Sequence, residues 1–113
     1  MIDASKVKQY IRGNLRGTLG VKEIAVAFQK DPSDIDRAFR TAEGVPIKPY
    51  IDHELMEEAV RLMRGDGLKG YDIGRQLGFP SDQSFYRWAK RNFKVRYSSL
   101  PHGSNGQNQE DPR

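Results

Sequence analysis

The chain has 113 residues, a formal net charge of +4 and no cysteine, so it is long enough for one small domain but excludes disulfides and thiolate metal sites. No apolar run approaches the roughly 20 residues that a membrane span needs, and the charged N-terminal segment lacks the apolar core of a secretory signal. We therefore expect a soluble, cytoplasmic protein with no membrane partner.

The charge is distributed unevenly along the chain. Residues 31–60 carry three Lys/Arg against eight Asp/Glu, whereas residues 61–97 carry nine against three. A basic C-terminal third beside an acidic middle is typical of a one-sided field that attracts a polyanionic partner.

Hydrophobic spacing predicts helices from the N-terminus onward. Apolar residues at helical intervals predict an amphipathic first helix: Val7, Tyr10, Ile11 and Leu15. Asp3 or Ser5 is available as its N-cap, and a short helix over 21–28 follows the breaks at Gly17 and Gly20. Asp31, with proline directly after it, then opens a helix that ends at Gly44.

A longer helix is predicted over about 48–64, with a stripe of apolar residues: Ile51, Leu55, Ala59 and Leu62. The glycine-rich stretch 65–70 breaks it, and a short helix over about 71–78 follows. Residues 101–113 have no apolar periodicity and predict a disordered tail.

The last predicted helix has two different faces. Phe85, Ala89 and Phe93 share one face at intervals of four residues. The opposite face carries hydrogen-bond donors and almost no acids: Gln83, Tyr86, Arg87, Lys90, Arg91 and Lys94. A charged helix face usually meets only water, so this pattern alone does not identify a ligand.

The chain contains a repeat. In a first unit, apolar and basic residues are spaced by 11, 2, 2 and 1 positions: Ile24, Ile35, Arg37, Phe39 and Arg40. In a second unit the spacing is 12, 2, 2 and 1: Ile73, Phe85, Arg87, Ala89 and Lys90. Each unit has the dimensions of a helix-turn-helix, and the long helix would connect the two.

This pattern resembles the DNA-binding domain of the AraC/XylS family of bacterial transcription regulators. The resemblance covers roughly residues 5–100 and is carried by I-A-x-A…P-S-x-I-x-R-x-F-R…G over 24–44, by Tyr50…Ala59…Leu62, and most strongly by I-G-x-x-L-G-F…S-F-x-R…K-R-x-F over 73–93. It implies an all-α domain over 3–100 in which seven helices form two helix-turn-helix subdomains, at about 21–43 and 71–93, joined by the long linker helix.

The resemblance also implies which residues contact DNA, with the second helix of each unit in a major groove. In the first unit, Ser33, Asp36 and Arg37 would read base edges, and Arg40 would lie nearer the backbone. In the second unit, the base-edge readers would be Asp82, Gln83, Tyr86 and Arg87, with phosphate contacts from Ser81, Ser84 and Lys90. The chemistry fits, because Arg can bind guanine, Gln adenine, and Asp the amino group of cytosine.

Several positions depart from the family pattern. Leu55 stands where an arginine is usual, and Ala89 stands where a phenylalanine is usual, so we expect the core there to be repacked around Trp88. Lys94 replaces a usual glycine, and Tyr97 replaces a usual proline.

Acidic residues in the first unit bring negative charge towards phosphates, at Asp34 and Asp36. We therefore expect the second unit to contribute most of the binding energy. The acidic stretch 31–58 leaves open an alternative: a helical module of the same fold that contacts a protein such as RNA polymerase or another regulator. Non-specific, architectural DNA binding is a third interpretation.

Enzyme and cofactor interpretations fail on context. Gly65–Gly70 matches G-x-G-x-x-G, but a predicted helix precedes it and no acid lies about 20 residues beyond it. His53–Glu57 lacks the second histidine of a zinc motif. We expect no enzymatic activity, no bound metal and no cofactor. We also expect a monomer, unless a domain outside this chain dimerises it. Whether the chain is a stand-alone regulator or a module of a larger one stays open, as does the direction of regulation.

Overall fold

A computed structural model describes residues 2–66 and 70–93, and within these ranges all regular secondary structure is helical. The described residues contain six helices: α1 (Ala4–Gly13), α2 (Val21–Phe28), α3 (Pro32–Glu43), α4 (Ile47–Asp66), α5 (Gly70–Gln76) and α6 (Asp82–Phe93). The predicted order of helices is confirmed, whereas the count of seven is not. Lys94, Tyr97 and the tail 101–113 lie outside the described residues, and the predicted domain boundaries stay a prediction.

The helix ends follow local sequence signals. Of the two candidate caps of α1, Asp3 is the N-cap, because its carboxylate accepts a hydrogen bond from the Ser5 backbone N–H at 2.9 Å. Asp31 caps α3 in the same way, accepting from the Ser33 N–H at 2.9 Å, and α3 ends at Gly44. The break after α4 is shorter than predicted, since the helix continues through the first two residues of the glycine-rich stretch.

A single hydrophobic core extends through both helix-turn-helix units. The apolar stripe predicted for the linker helix is buried: Ile51, Leu55, Ala59 and Leu62. Leu55 therefore replaces the usual arginine with a core side chain. In α6, Phe85, Trp88 and Phe93 are all buried, which confirms that this part of the core packs around the indole. None of the helices in the described ranges is long and apolar enough to cross a membrane.

The linker helix α4 packs against α3 in the first unit and against α5 and α6 in the second. The rings of Phe39 on α3 and Tyr50 on α4 meet edge to face, with centroids 5.3 Å apart. The described part of the molecule is elongated, with dimensions of 48 × 24 × 23 Å. α4 thus holds the two units side by side along the long axis.

Candidate nucleic-acid interface

The outer face of α6 collects the polar side chains that the sequence pattern placed there. Gln83, Tyr86, Arg87 and Lys90 lie at positions i, i+3, i+4 and i+7, so they share one face, and all four are exposed. Tyr86 keeps about half of its surface accessible, at 49%. Because the opposite face of α6 is buried in the core, these four side chains are held outward together.

The first turn of α6 is fixed by two serines that cap each other. The Ser81 hydroxyl accepts a hydrogen bond from the Ser84 N–H at 3.0 Å, and the Ser84 hydroxyl accepts from the Ser81 N–H at 3.2 Å. The Ser84 hydroxyl also donates to the Ser81 carbonyl oxygen at 2.8 Å. Both hydroxyls, for which the resemblance implies phosphate contacts, therefore cap the first turn of α6 in this structure. Asp82, also exposed, lies with its Oδ2 3.6 Å from Nη2 of Arg75.

The outer face of α3 carries fewer positive charges than the outer face of α6. Ser33, Arg37 and Arg40 are exposed at positions i, i+4 and i+7. Nη1 of Arg37 is 3.5 Å from Oδ1 of Asp34, and the two side chains are 73% and 63% exposed. An exposed pair of this kind contributes little to stability. It does, however, place a negative charge beside the arginine that would approach DNA.

Asp36 is directed towards the linker helix. Its Oδ1 accepts a hydrogen bond from the backbone N–H of Ile47 at 2.8 Å, and the pair is partly buried. Ile47 is the first residue of α4, whose N–H has no partner within its own helix. Asp36 thus acts as an N-cap from a neighbouring helix. The resemblance implies a base-edge contact for Asp36, and its position on α3 alone does not reveal the Ile47 partner.

Trp88 joins α6 to the linker helix. The indole Nε1 donates a hydrogen bond to Oδ1 of Asp52 at 3.0 Å, and the indole is only 4% exposed. Asp52 also lies 2.7 Å from Nζ of Lys48. Together with the Asp36 cap, this contact means that both candidate recognition helices are hydrogen-bonded to α4.

A groove beside α6 contains cations that were not among the predicted site residues. It is lined by Gly17, Thr18, Lys48, Phe79, Pro80, Ser84, Arg87, Trp88 and Arg91. Lys48 comes from the first turn of α4, and Arg91 follows Arg87 by one helical turn. From the sequence, Lys48 could have been noticed only as the sole Lys or Arg between residues 41 and 60, whereas Thr18 carried no signal.

Comparison with known proteins places the chain among helix-turn-helix regulators, although no family model matches it. It is 32% identical over 97 residues to the HTH-type transcriptional activator AarP of Providencia stuartii, covering 86% of this chain and 69% of AarP. It is 24% identical over 86 residues to YijO, an uncharacterized HTH-type transcriptional regulator of Escherichia coli K12, covering 76% of this chain and 30% of YijO.

The fold is also similar to a solved structure, the C-terminal domain of the two-component response regulator yesN from Fusobacterium nucleatum. The TM-score is 0.72 at 20% sequence identity, covering 80% of this chain and 95% of that domain. At this identity the likeness concerns the fold alone. Two helix-turn-helix units on one linker helix, together with the extent and identity of the match to AarP, show that the chain belongs to the AraC/XylS family of transcription regulators.

Proposed function

We propose that the chain is a sequence-specific regulator of transcription that binds double-stranded DNA by inserting α3 and α6 into successive segments of the major groove. The observation that carries the proposal is the outer face of α6. Four polar side chains are exposed there on a helix whose other face is buried: Gln83, Tyr86, Arg87 and Lys90. Membership of the AraC/XylS family supports it, and the name of AarP motivates an activating role.

The shape of the domain supports binding to two groove segments on one face of DNA. Two recognition helices on such a face lie about one helical turn apart, roughly 34 Å. The 48 Å long axis can accommodate that distance. The proposal also includes the seventh helix that the family resemblance implies.

The proposed contacts divide into base readout and backbone attraction. Arg87 is assigned to guanine and Gln83 to adenine, with Tyr86 and Asp82 beside them on α6. Phosphate contacts are assigned to Lys90 and to two cations of the neighbouring groove, Lys48 and Arg91.

In the first unit, Ser33 and Arg37 are assigned to bases and Arg40 to phosphates, because all three are exposed on one face of α3. Asp36 is assigned to the support of α4 because its carboxylate already accepts the Ile47 N–H. The serines that cap α6 are left to orient its first turn, whose outward N–H groups favour a phosphate.

Selection of bound sequences from a randomised duplex pool tests the proposal. Two enriched blocks about one helical turn apart are expected. Arg87→Ala should reduce affinity for the selected site by about 10–100-fold and relax one position of it. Lys90→Ala is the matched control on the same face, and it should weaken all sequences alike and reduce the slope of log affinity against log salt by about 1.

Three outcomes would contradict this function in different ways. No enrichment together with a flat salt response would favour the protein-interaction alternative, with RNA polymerase or another regulator as partner. A steep salt response without enrichment would indicate architectural binding. Enrichment of a single block that Arg87→Ala abolishes would restrict base readout to the second unit.

A further inference from the structure

We infer that the loop between α1 and α2 clamps the turn between α5 and α6, and that this clamp fixes the spacing between the two DNA blocks that the domain reads. The clamp consists of Arg16 and Gly17, in the loop that attaches α1 to the first unit, and of residues 77–79 in the second unit. The inference rests on the proposed function, since a block spacing exists only if α3 and α6 both contact DNA.

The clamp begins with a backbone hydrogen bond between the two units. The Gly17 N–H donates to the carbonyl oxygen of Leu77 at 2.7 Å. Leu77 directly follows α5, where the last carbonyls of a helix have no partner within it. Leu77 and the nearby loop residue Leu19 are each 3% exposed, so this bond lies at the edge of the core. Water therefore competes with it less than with an exposed bond.

On each side of the clamp, a glycine lies directly against a side chain from the other side. A Cβ atom on Gly17 would lie 2.6 Å from Cγ of Phe79, and a Cβ atom on Gly78 would lie 2.7 Å from Cβ of Arg16. Gly78 also has a φ of 76°, in the left-handed region that favours glycine. Any larger residue at Gly17 must displace the Phe79 ring. The two units are therefore in contact through atoms that have no room to approach further.

The first-unit side of the clamp is held by polar contacts. Arg16 donates from Nη1 to the carbonyl oxygen of Asn14 at 2.9 Å and from Nη2 to the carboxylate of Glu23. The hydroxyl of Tyr10 donates to the same carboxylate at 3.3 Å. Arg16 thus holds its loop in a defined position between α1 and α2.

The second-unit side of the clamp touches the recognition helix directly. The ring of Phe79 lies 5.3 Å from that of Phe85 and 5.2 Å from that of Trp88, measured between centroids, and both partners belong to α6. A displacement of Phe79 is therefore transmitted to α6. Since α4 joins the two units along one axis, a second contact away from that helix restrains rotation of one unit about it.

A matched pair of glycine variants tests the clamp. Gly17→Ala introduces the clash with Phe79, whereas Gly20→Ala, in the same loop, places its Cβ where no atom lies within 4 Å. Trp88 is the only tryptophan, so its fluorescence reports on this junction in the intact chain. We expect Gly17→Ala to shift the emission of Trp88 to longer wavelength and Gly20→Ala to leave it unchanged.

The functional readout is binding to duplexes in which the two selected blocks are at the natural spacing or one base pair closer or further apart. The wild type and Gly20→Ala should prefer the natural spacing by about tenfold or more. Gly17→Ala should lose most of that preference while keeping its affinity for the second-unit block alone. If Gly17→Ala does not fold, Phe79→Leu removes the ring without adding bulk to the loop and provides the same two readouts.

These measurements distinguish a failure of the clamp from a failure of the proposed function. An unchanged spacing preference in a variant whose Trp88 emission has shifted would overturn the clamp, as would a wild type that binds all spacings equally well. An unchanged emission in Gly17→Ala would show that Phe79 does not rest on this glycine and would also overturn it. Absence of any binding by the wild type would instead overturn the proposed function, and the spacing role with it.

Discussion

Replacing Asp52 with alanine should destabilise the domain by about 2 kcal/mol, because the indole N–H of the buried Trp88 would lose its acceptor. The hydrogen bond is 3.0 Å long, and Trp88 is only 4% exposed. An unsatisfied buried donor costs roughly 1–3 kcal/mol. The second partner of Asp52 contributes less, since Lys48 is 54% exposed and an i,i+4 pair is worth roughly 0.3–0.5 kcal/mol.

Urea titration followed by circular dichroism measures this loss as a lower midpoint of unfolding. For a domain of this size, about 2 kcal/mol corresponds to a melting temperature lower by roughly 8–16 °C. Asp52→Asn is the matched control, because its amide oxygen can still accept from the indole. Its loss should be clearly smaller than that of Asp52→Ala.

A double-mutant cycle separates the hydrogen bond from other effects of Asp52. Trp88→Phe removes the N–H, so in that background Asp52→Ala should cost less than about 1 kcal/mol. If Asp52→Ala costs the same in both backgrounds, the contact with Trp88 is not the source of the stability.

Further predictions concern three other charged residues. Asp36→Ala should lower the free energy of unfolding by about 1 kcal/mol, because the Ile47 N–H loses its cap; altered DNA specificity at unchanged stability in urea would contradict this role. The hydrogen bond from Arg16 lowers the pKa of Glu23, against the effect of burial. The stability that Glu23 provides is therefore complete above the unfolded-state pKa of about 4.3 and is lost as the pH falls through the lower folded-state pKa; Glu23→Gln should flatten this acid loss in melting curves, and an unchanged acid slope would refute it. Lys48→Ala should reduce the salt slope of DNA affinity by about 1, measured by fluorescence anisotropy, and an unchanged slope would remove Lys48 from the interface.

Features that depend on a single helix could be predicted from the sequence. The N-cap at Asp31 and the end of α3 at Gly44 lie where the residues indicated them. The buried stripe of α4 also follows its predicted spacing, because periodicity and capping are properties of neighbouring residues. The polar face of α6 is exposed as expected for the same reason, although its contact with DNA stays a prediction.

Features that depend on two distant segments could not be predicted. Asp36 is separated by 11 positions from the N–H that it caps, and Asp52 by 36 positions from Trp88. Spacing along a helix shows which face a residue occupies, but not which neighbour covers that face. For this reason the contacts of Asp36 with Ile47 and of Gly17 with Leu77 could not be predicted from the sequence.

The acidic middle of the chain, which motivated a protein partner in place of DNA, is used largely inside the domain. Asp36 caps α4 and Asp52 binds Trp88, while two glutamates of α4 form ion pairs, Glu54 with Arg12 and Glu58 with Arg61. A carboxylate with a nearby donor or cation repels a phosphate less than an unpaired one, and it attracts a basic protein less. The acidic stretch is therefore weaker support for the protein-interaction alternative than its composition indicated.

The acid that remains beside a proposed base reader is Asp34, next to Arg37 on α3. Because α6 has its acid, Asp82, at the first turn next to Arg75 and three cations further along, we assign the larger share of the DNA-binding energy to α6.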